Sequence, residues 1–436
     1  MGSASKQEAA QGRPKMGRPG RLRLARHMAT TRHVASAYPW QAEAGMSASG
    51  VIIGFDLLSG GLHTYDPWEL YCQGLLTNPN GLVIGALGCG KSSLIKGYLF
   101  RQVGCFGRQA YVLDPKGEYG ALAAALGIPV VRLEPGGPTR LNPLDPGPGG
   151  RGNPESVRRR QGEMVVGLAE TTLGRRATSE ERAGVAEALD EAANHSTTAQ
   201  LADVAKLLLA PTQAMAAALA TTPEGLAKAC REVALELRRL LSGDLAGMFD
   251  GQSSVDIDWA GPGVVLDLSA VYGSPALPVV MLLAVNWLQV VLATPGRQRI
   301  VVLDEAWAVL MDTGTTRWLQ STWKLSRALG VANMAVIHRL SDLRGQGADG
   351  SERVKQAQGL LADTGTRVVF AQASDQVPDA RKLLGLTEVE GEVLPRLPAR
   401  GRALWRVGGH GTIVDHLVAP GEWGIIYTDA AMGVGA

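Results

Sequence analysis

Four cysteines in 436 residues (Cys72, Cys89, Cys105 and Cys230) are scattered without metal-ligand or disulfide spacing. That excludes a cysteine-built scaffold and fits a chain working in a reducing compartment, the cytoplasm. Aromatic residues make up only 5% of the chain, while Gly and Ala are abundant, a bias that says more about genome composition than about function. Long apolar runs are also missing. The longest, Val279 to Ala293, is too short to span a bilayer and is interrupted by Asn286 and Gln289. It reads as a buried helix, and no integral membrane segment is expected. The first residues lack an apolar core, so no secretory signal is expected there.

Net charge is nearly balanced at +2 but unevenly spread. Residues 1–33 hold Lys6, Arg13, Lys15, Arg18, Arg21, Arg23, Arg26 and Arg32 against Glu8 alone, a local +7 that leaves −5 for the rest. Such a tail can hold nucleic acid or an anionic membrane surface; Met16 and Met28 within it equally allow translation to begin downstream. The chain is 45% hydrophobic and 19% charged, ordinary for a globular protein and long enough to bury a large core.

The most informative stretch is Leu82–Ser93. An apolar run feeds Gly85-Ala86-Leu87-Gly88-Cys89-Gly90-Lys91-Ser92, a complete G-x-x-x-x-G-K-[ST] loop, and a helical pattern follows from Ser93. Phosphates need a backbone that bends tightly and aims several N–H groups at one point. Gly85, Gly88 and Gly90 permit the bend, Lys91 supplies charge for the β- and γ-phosphates, and Ser92 offers a hydroxyl to Mg²⁺. The helix start adds N–H groups without intrahelical partners. A nucleoside triphosphate is the implied ligand. Cys89 in this loop either makes the site oxidation-sensitive or is a small residue tolerated there.

Strand-like runs at 82–86, 109–113, 129–133, 263–268, 299–303, 332–337 and 367–371 alternate with helical patterns, which implies parallel βαβ units with helices on both faces. Between them, from about 154 to 245, apolar residues such as Val185, Ala188, Leu189 and Ala192 recur at helical spacing. Four or five helices and no strand are expected there. Runs such as Ala403–Val407 point to a terminal hairpin.

Hydrolysis needs a carboxylate near Mg²⁺ and a group that orients the attacking water. Arg299–Leu303 followed by Asp304-Glu305 supplies both at one strand end: Asp304 as metal partner with Ser92, Glu305 as base for water. The next strand ends at His338, a candidate sensor of the γ-phosphate or a plain structural imidazole. A trans-acting arginine is sought in Arg327, with Arg339 second. Asp114-Pro115-Lys116-Gly117-Glu118-Tyr119 ends another strand, and Lys116 and Glu118 there are either supporting contributors to the site or part of a surface turn.

Taken in order, G-A-L-G-C-G-K-S-S, L-D-P-K-G-E-Y, L-N-P-L-D, the helical stretch, V-V-L-D-E-A-W, R-A-L-G and I-H-R-L-S-D-L resemble the motor domain of the FtsK–HerA superfamily. The likeness is nearest to conjugative type IV secretion ATPases of the TraC/TraG kind and covers roughly residues 50–420. It implies a RecA-like P-loop α/β fold with a mainly parallel sheet and an all-helical insertion domain, assembled as a homo-hexamer using ATP and Mg²⁺. By the resemblance Lys91 and Ser92 are the Walker A pair, Asp304 and Glu305 the Walker B pair, and Arg327 the trans-acting arginine. The organisation expected is a disordered basic tail over 1–45, a first part of the nucleotide-binding domain over 46–153, the insertion over 154–250 and the second part over 251–436. Two departures stand out. His338 replaces the family's usual Gln, and only about 80 residues precede the loop, so a motor-only chain docking through a separate partner is expected.

The function these features imply is an ATP-driven motor for conjugative DNA transfer or type IV secretion, in the cytoplasm or peripheral at the inner face of the cell membrane. Its implied partners are the membrane components of that apparatus, with DNA left open. A HerA/FtsK-like double-stranded DNA translocase and a nucleotide-gated scaffold are the alternatives. The negative charge outside the tail weighs slightly against a DNA pump, since phosphate contacts dominate such binding.

Overall fold

The structure, a computed structural model, describes residues 45–46, 49–146, 154–196, 198–243, 245–255, 257–274, 276–292, 296–306, 319, 323–338, 359 and 363–427, the side chains of 156 and 289–291 excepted. Arg339, nearly all of the basic tail and most of the helical pattern near 352–363 lie outside this set.

Strands β1 (Val51–Asp56) and β2 (Leu62–Tyr65) form a hairpin, followed by α1 (Pro67–Cys72). Strand β3 (Gly81–Ile84) leads into α2 (Lys91–Phe106), and β4 (Gln109–Asp114) into α3 (Gly120–Leu126) and β5 (Val130–Arg132). Then come α4 (Pro154–Leu173), α5 (Ser179–His195), α6 (Leu201–Leu209), α7 (Gln213–Ala218) and α8 (Pro223–Ser242), with no strand among the described residues of this stretch. The sheet resumes with β6 (Gly263–Asp267), α9 (Leu277–Leu292), β7 (Arg299–Leu303), β8 (Val331–Ile337) and β9 (Thr366–Phe370). Helices α10 (Val377–Leu384) and α11 (Glu388–Val393), the hairpin β10 (Arg402–Val407) and β11 (His410–His416), and α12 (Trp423–Ile426) complete the described chain.

One 11-stranded sheet runs β2-β1-β11-β10-β9-β3-β8-β7-β4-β6-β5. From β9 to β5 every neighbouring pair is parallel. The strands from β10 to β2 add an antiparallel flank. The mainly parallel α/β fold implied by the alternating pattern is therefore observed. Strands β3, β4, β7 and β8 are buried along their whole length, as parallel strands covered on both faces must be.

Side chains alternate between two cores, one on each face. Leu82, Ile84, Leu113, Leu303 and Ile337 join the cluster that contains Met164, Val185, Leu208 and Leu237 of the helical stretch and most of α9. Val83, Val112, Val302 and Val336 join the other, with Leu94, Ile95 and Leu99 of α2. Helices α4–α8 and α2 thus cover opposite faces. Helix α9 is apolar around nearly all of its described surface, Asn286 excepted, with Val280, Met281, Leu283, Ala284 and Leu288 fully buried, which marks a core helix. Among the described residues no helix is long and apolar enough to cross a membrane.

Asn78-Pro79-Asn80-Gly81 has the composition of a turn, yet Asn80 is a buried junction at the amino ends of the central strands. Its carboxamide oxygen accepts from the Asn333 side chain (2.9 Å) and backbone (3.3 Å), and its Nδ2 donates to the carbonyls of Trp323 and Asp363, each at 3.3 Å.

Candidate active site

Strand β8 lies between β3 and β7, and β4 lies beyond β7. Ile84 pairs with Ile337, Ala335 with Leu303, and Leu303 with Leu113. The residues that follow these pairs are Gly85, His338, Asp304-Glu305 and Asp114. Parallel strands end at one edge, so register alone gathers them around the crevice where open α/β sheets bind ligands.

In the loop itself Gly88 has φ +76° and Gly90 φ +106°, conformations open to glycine at little cost. Gly85 serves differently. A Cβ there would lie 2.6 Å from Phe370 Cβ and 2.7 Å from Cys89 Sγ, so its small size lets the loop close on β9. Helix α2 starts at Lys91 behind Gly90, with no side chain capping it, which leaves its first N–H groups to face an anion. Leu87 is at the exposed tip, and Ser92 and Ser93 are half-buried on the first turn. Lys91 is 4% exposed and donates to the carbonyls of Gly85 (2.7 Å) and Ala86 (2.8 Å). Burial lowers its pKa, against the pull of nearby Asp304 and Glu305. Cys89 is buried and its thiol is pushed up by that burial, the reverse of a reactive thiolate.

The two carboxylates at the end of β7 are held oppositely. Asp304 accepts from the Tyr119 hydroxyl (3.2 Å) and the Glu305 backbone N–H (2.9 Å). Its burial, reinforced by the Glu305 and Asp114 charges, raises its pKa to about 6. Glu305 is equally buried, but His338 and Lys116 outweigh that burial and hold it at about 2. His338 Nε2 lies 2.5 Å from Glu305 Oε1 and 3.2 Å from Lys116 Nζ, and Lys116 pairs with the same carboxylate oxygen. A single ring nitrogen either donates to Glu305 or accepts from Lys116, not both. His338 Nδ1 is buried without a partner. Glu305 also has φ +52°, a conformation unfavourable to a residue with a Cβ.

Lys116 thus touches Glu305 directly, a contact that the D-P-K-G-E-Y spacing alone left open. Glu118 lies 3.9 Å from fully buried Lys96. Tyr119 has its N–H on Asp114 (2.9 Å) and its hydroxyl on Asp304, which joins the ends of β4 and β7. Arg400 was not visible from any motif. Its neighbour Gly401 donates its N–H to the Cys89 carbonyl (3.3 Å), and exposed Arg400 lines the same cavity as Lys91, Lys116 and His338.

Arg327 is not brought to this crevice. It lies exposed on the helical stretch 323–329, which leads into the amino end of β8. The seven residues of β8 separate it from the strand end, a span of about 20 Å.

The cavity over the loop has a volume of about 520 Å³, within the range usual for small-molecule sites. A wider cleft of about 940 Å³ lies between α4 and α5. Arg158 pairs with Asp190 across it and Arg182 pairs with Glu170, and it contains none of the residues at the strand ends.

No protein-family model and no curated protein sequence matches the chain. Solved structures do. VirB4 of Thermoanaerobacter pseudethanolicus aligns over 88% of this chain and 100% of its own, with TM-score 0.66 and 19% identity. The plasmid coupling protein TrwB in complex with the non-hydrolysable ATP analogue ADPNP aligns over 93% of this chain and 96% of its own, with TM-score 0.60 and 16% identity. The chain has the VirB4–TrwB fold. TrwB in complex with ADP and Mg²⁺ also aligns, over 78% of this chain and 85% of its own, with TM-score 0.57 and 18% identity. The VirB4–TrwB fold is the architecture that the motif order implied.

Proposed function

We propose that the chain is an ATP-hydrolysing motor, working as a homo-hexameric ring, that energises conjugative DNA transfer or type IV secretion. The observation that carries this reading is the meeting of Lys91, Asp304, Glu305 and His338 at one sheet edge, over a phosphate loop with an uncapped helix start. The conjugative assignment is supported by the joint order of the motifs and by the fold shared with VirB4 and TrwB. The ring is supported by Arg327, which is out of reach of its own crevice. On this reading the chain is peripheral to the membrane apparatus it serves.

The residues present fit a magnesium nucleotide. Lys91 is a buried ammonium that donates to two neutral carbonyls, and Asp304 is a buried carboxylate beside a second one, a pairing that a cation relieves. Ser92 and Asp304 would hold Mg²⁺, which when bound neutralises charge on the phosphate oxygens. Lys91 exchanges its carbonyl partners for phosphate oxygens, and the first N–H groups of α2 take the rest. Held at about 2 by His338 and Lys116, Glu305 is no base for water while both contacts stand, and parting from either lets its burial raise it again. Its task is to orient the water, which a loose phosphoryl-transfer transition state chiefly requires. To do so it must part from Lys116 or His338, and the strained φ of Glu305 favours such a move.

The test is the ATPase rate of the wild type and Glu305→Gln, with and without duplex DNA, at two salt concentrations. The expected result is hydrolysis by the wild type alone. Strong, salt-sensitive stimulation by DNA would move the assignment to a DNA translocase, and no hydrolysis by either protein would leave only a nucleotide-gated scaffold. Sizing with an ATP analogue checks the ring, because a strict monomer leaves Arg327 without a site to serve.

A further inference from the structure

The turn after β4 reaches across to the end of β7 with two side chains, and each takes a different carboxylate. Lys116 pairs with Glu305, while the Tyr119 hydroxyl donates to Asp304 Oδ2 at 3.2 Å. We propose that Tyr119 is a positioning residue for the cation: it locks the Asp304 carboxylate in one orientation, and that lock makes the crevice prefer Mg²⁺ to the larger Ca²⁺. The inference rests on the magnesium-nucleotide reading above and deepens it.

Three observations carry it. The Asp304 carboxylate is held at both oxygens, for Oδ1 accepts from the Glu305 backbone N–H (2.9 Å) as Oδ2 accepts from Tyr119. Two donors on opposite oxygens fix the plane of the group. An ionised carboxylate has about four acceptor sites, so these bonds still leave room for a cation. Its backbone is tied as well, the Asp304 N–H donating to the Leu113 carbonyl of β4 (3.3 Å).

The second observation is that Tyr119 is itself built in. It is fully buried, and its N–H donates to Asp114 Oδ2 (2.9 Å). The Asp114 carboxylate also accepts from the backbones of Lys116 (3.2 Å) and Glu118, which closes the turn. Gly117 reverses the chain there with φ +71°, a conformation that strains a residue with a Cβ. The third is a clamp on the ring from the phosphate-loop helix. The ammonium of fully buried Lys96 of α2 stands over the Tyr119 ring, 5.2 Å from its centroid, an attractive contact. The hydroxyl is thereby aimed from both β4 and α2.

Selectivity follows from how the two cations differ. Mg²⁺ demands near-ideal octahedral geometry and draws on one or two carboxylates, whereas Ca²⁺ takes more oxygens in a flexible arrangement. A carboxylate held still serves the first and adds little for the second. Partners behind a ligating carboxylate typically set metal affinity by about 10–100-fold.

The test is equilibrium binding of Mn²⁺ to the full chain with a non-hydrolysable ATP analogue, read by electron paramagnetic resonance with Mg²⁺ and Ca²⁺ as competitors. The wild type is expected to raise the preference for Mg²⁺ over Ca²⁺ about tenfold above that of the free analogue. Tyr119→Phe removes the hydroxyl and keeps the ring. It is expected to weaken Mn²⁺ and Mg²⁺ by about tenfold and Ca²⁺ by less than about threefold. Binding of the analogue in EDTA is expected to match the wild type, because the loop and Lys91 are untouched. A wild type no more selective than the free analogue overturns the role of Tyr119 alone. So does a variant with unchanged Mg²⁺ affinity, with an equal loss of Ca²⁺, or with a loss that persists in EDTA. A wild type that binds no analogue, with cation or without, overturns the nucleotide reading and this role with it.

Discussion

The parallel strands gather polar residues at both edges of the sheet, near the amino ends of β3 and β8 and beyond the carboxyl ends of β3, β4, β7 and β8, and the two edges follow opposite rules. At their amino ends Asn80 and Asn333 are neutral, buried and bonded to each other and to the carbonyls of Trp323 and Asp363. At their carboxyl ends Lys91, Asp304, Glu305 and Lys116 are charged, Glu305 is in a strained backbone conformation, and His338 Nδ1 is buried without a partner. A satisfied neutral network adds to stability because removing any member orphans the others. A crowded charged cluster is only partly compensated by its own pairs, and a ligand's charges can relieve the remainder. The difference separates groups kept for folding from groups kept for chemistry.

Replacing one polar group at each end is the sharpest way to break that comparison. Asp304→Asn has the largest expected effect, a fall in hydrolysis of at least about 100-fold, since the metal partner loses its charge. The same change is expected to stabilise the nucleotide-free chain. A carboxyl whose pKa rises from the ordinary value to about 6 on folding opposes folding above that pH. Burial is the main cause, and the neutral amide escapes most of it, a gain of about 1–3 kcal/mol at pH 7.5. Urea unfolding of the two proteins at pH 7.5 checks it. A lower midpoint for Asp304→Asn would show that the two ends obey one rule after all.

Asn80→Ala should do the reverse. It leaves the Asn333 amide and the Trp323 and Asp363 carbonyls without their partner in a buried place, at a cost of about 2–4 kcal/mol. Urea unfolding measures this loss, while kcat at low temperature should stay within about twofold of the wild type, because Asn80 is a full strand away from the loop.

These two ends were not equally legible. The loop and Asp304-Glu305 could be read because each is a local spacing with a chemical reason, and alternating strands and helices implied the parallel sheet. Asn80 looked like part of a turn, since nothing local distinguishes a turn asparagine from a buried one. The contact of Lys116 with His338 spans 222 residues, and strand order alone brings the two together. In the antiparallel flank the β10–β11 hairpin is local and could be read from the sequence, but its junction with β1 was hidden for the same reason. It pairs the start of the described chain with its end, as in Gly54 beside His416, and no window of sequence contains both. Cys89 illustrates a third case, where the motif put it in the loop but only the packing shows its thiol buried.

That flank supplies the finest comparison, for it contains buried groups that are neutral like Asn80 yet titratable like Asp304. His63 is 1% exposed, packs edge-on to Trp405 with ring centroids 5.0 Å apart, and has neither ring nitrogen bonded. Burial is the main reason its pKa falls to about 4, with Asp56 opposing and His410 assisting. His416 falls to about 3, again chiefly by burial, while its Nε2 accepts from the Trp405 indole at 2.8 Å. Both rings are neutral in the folded chain and take up protons on unfolding once the pH is below about 6.5. The unfolded state then binds more protons, so stability falls as the pH drops from about 6.5 toward 4. Between pH 7.5 and 5.5 the contribution of His63 to that fall is about 1 kcal/mol. His63→Phe, which keeps a ring against Trp405 and cannot titrate, should lose that share of the slope and keep the rest, read from urea midpoints at the two pH values. An unchanged slope would mean that His63 is already protonated in the folded chain, and that this flank, like the carboxyl ends of the strands, tolerates buried charge.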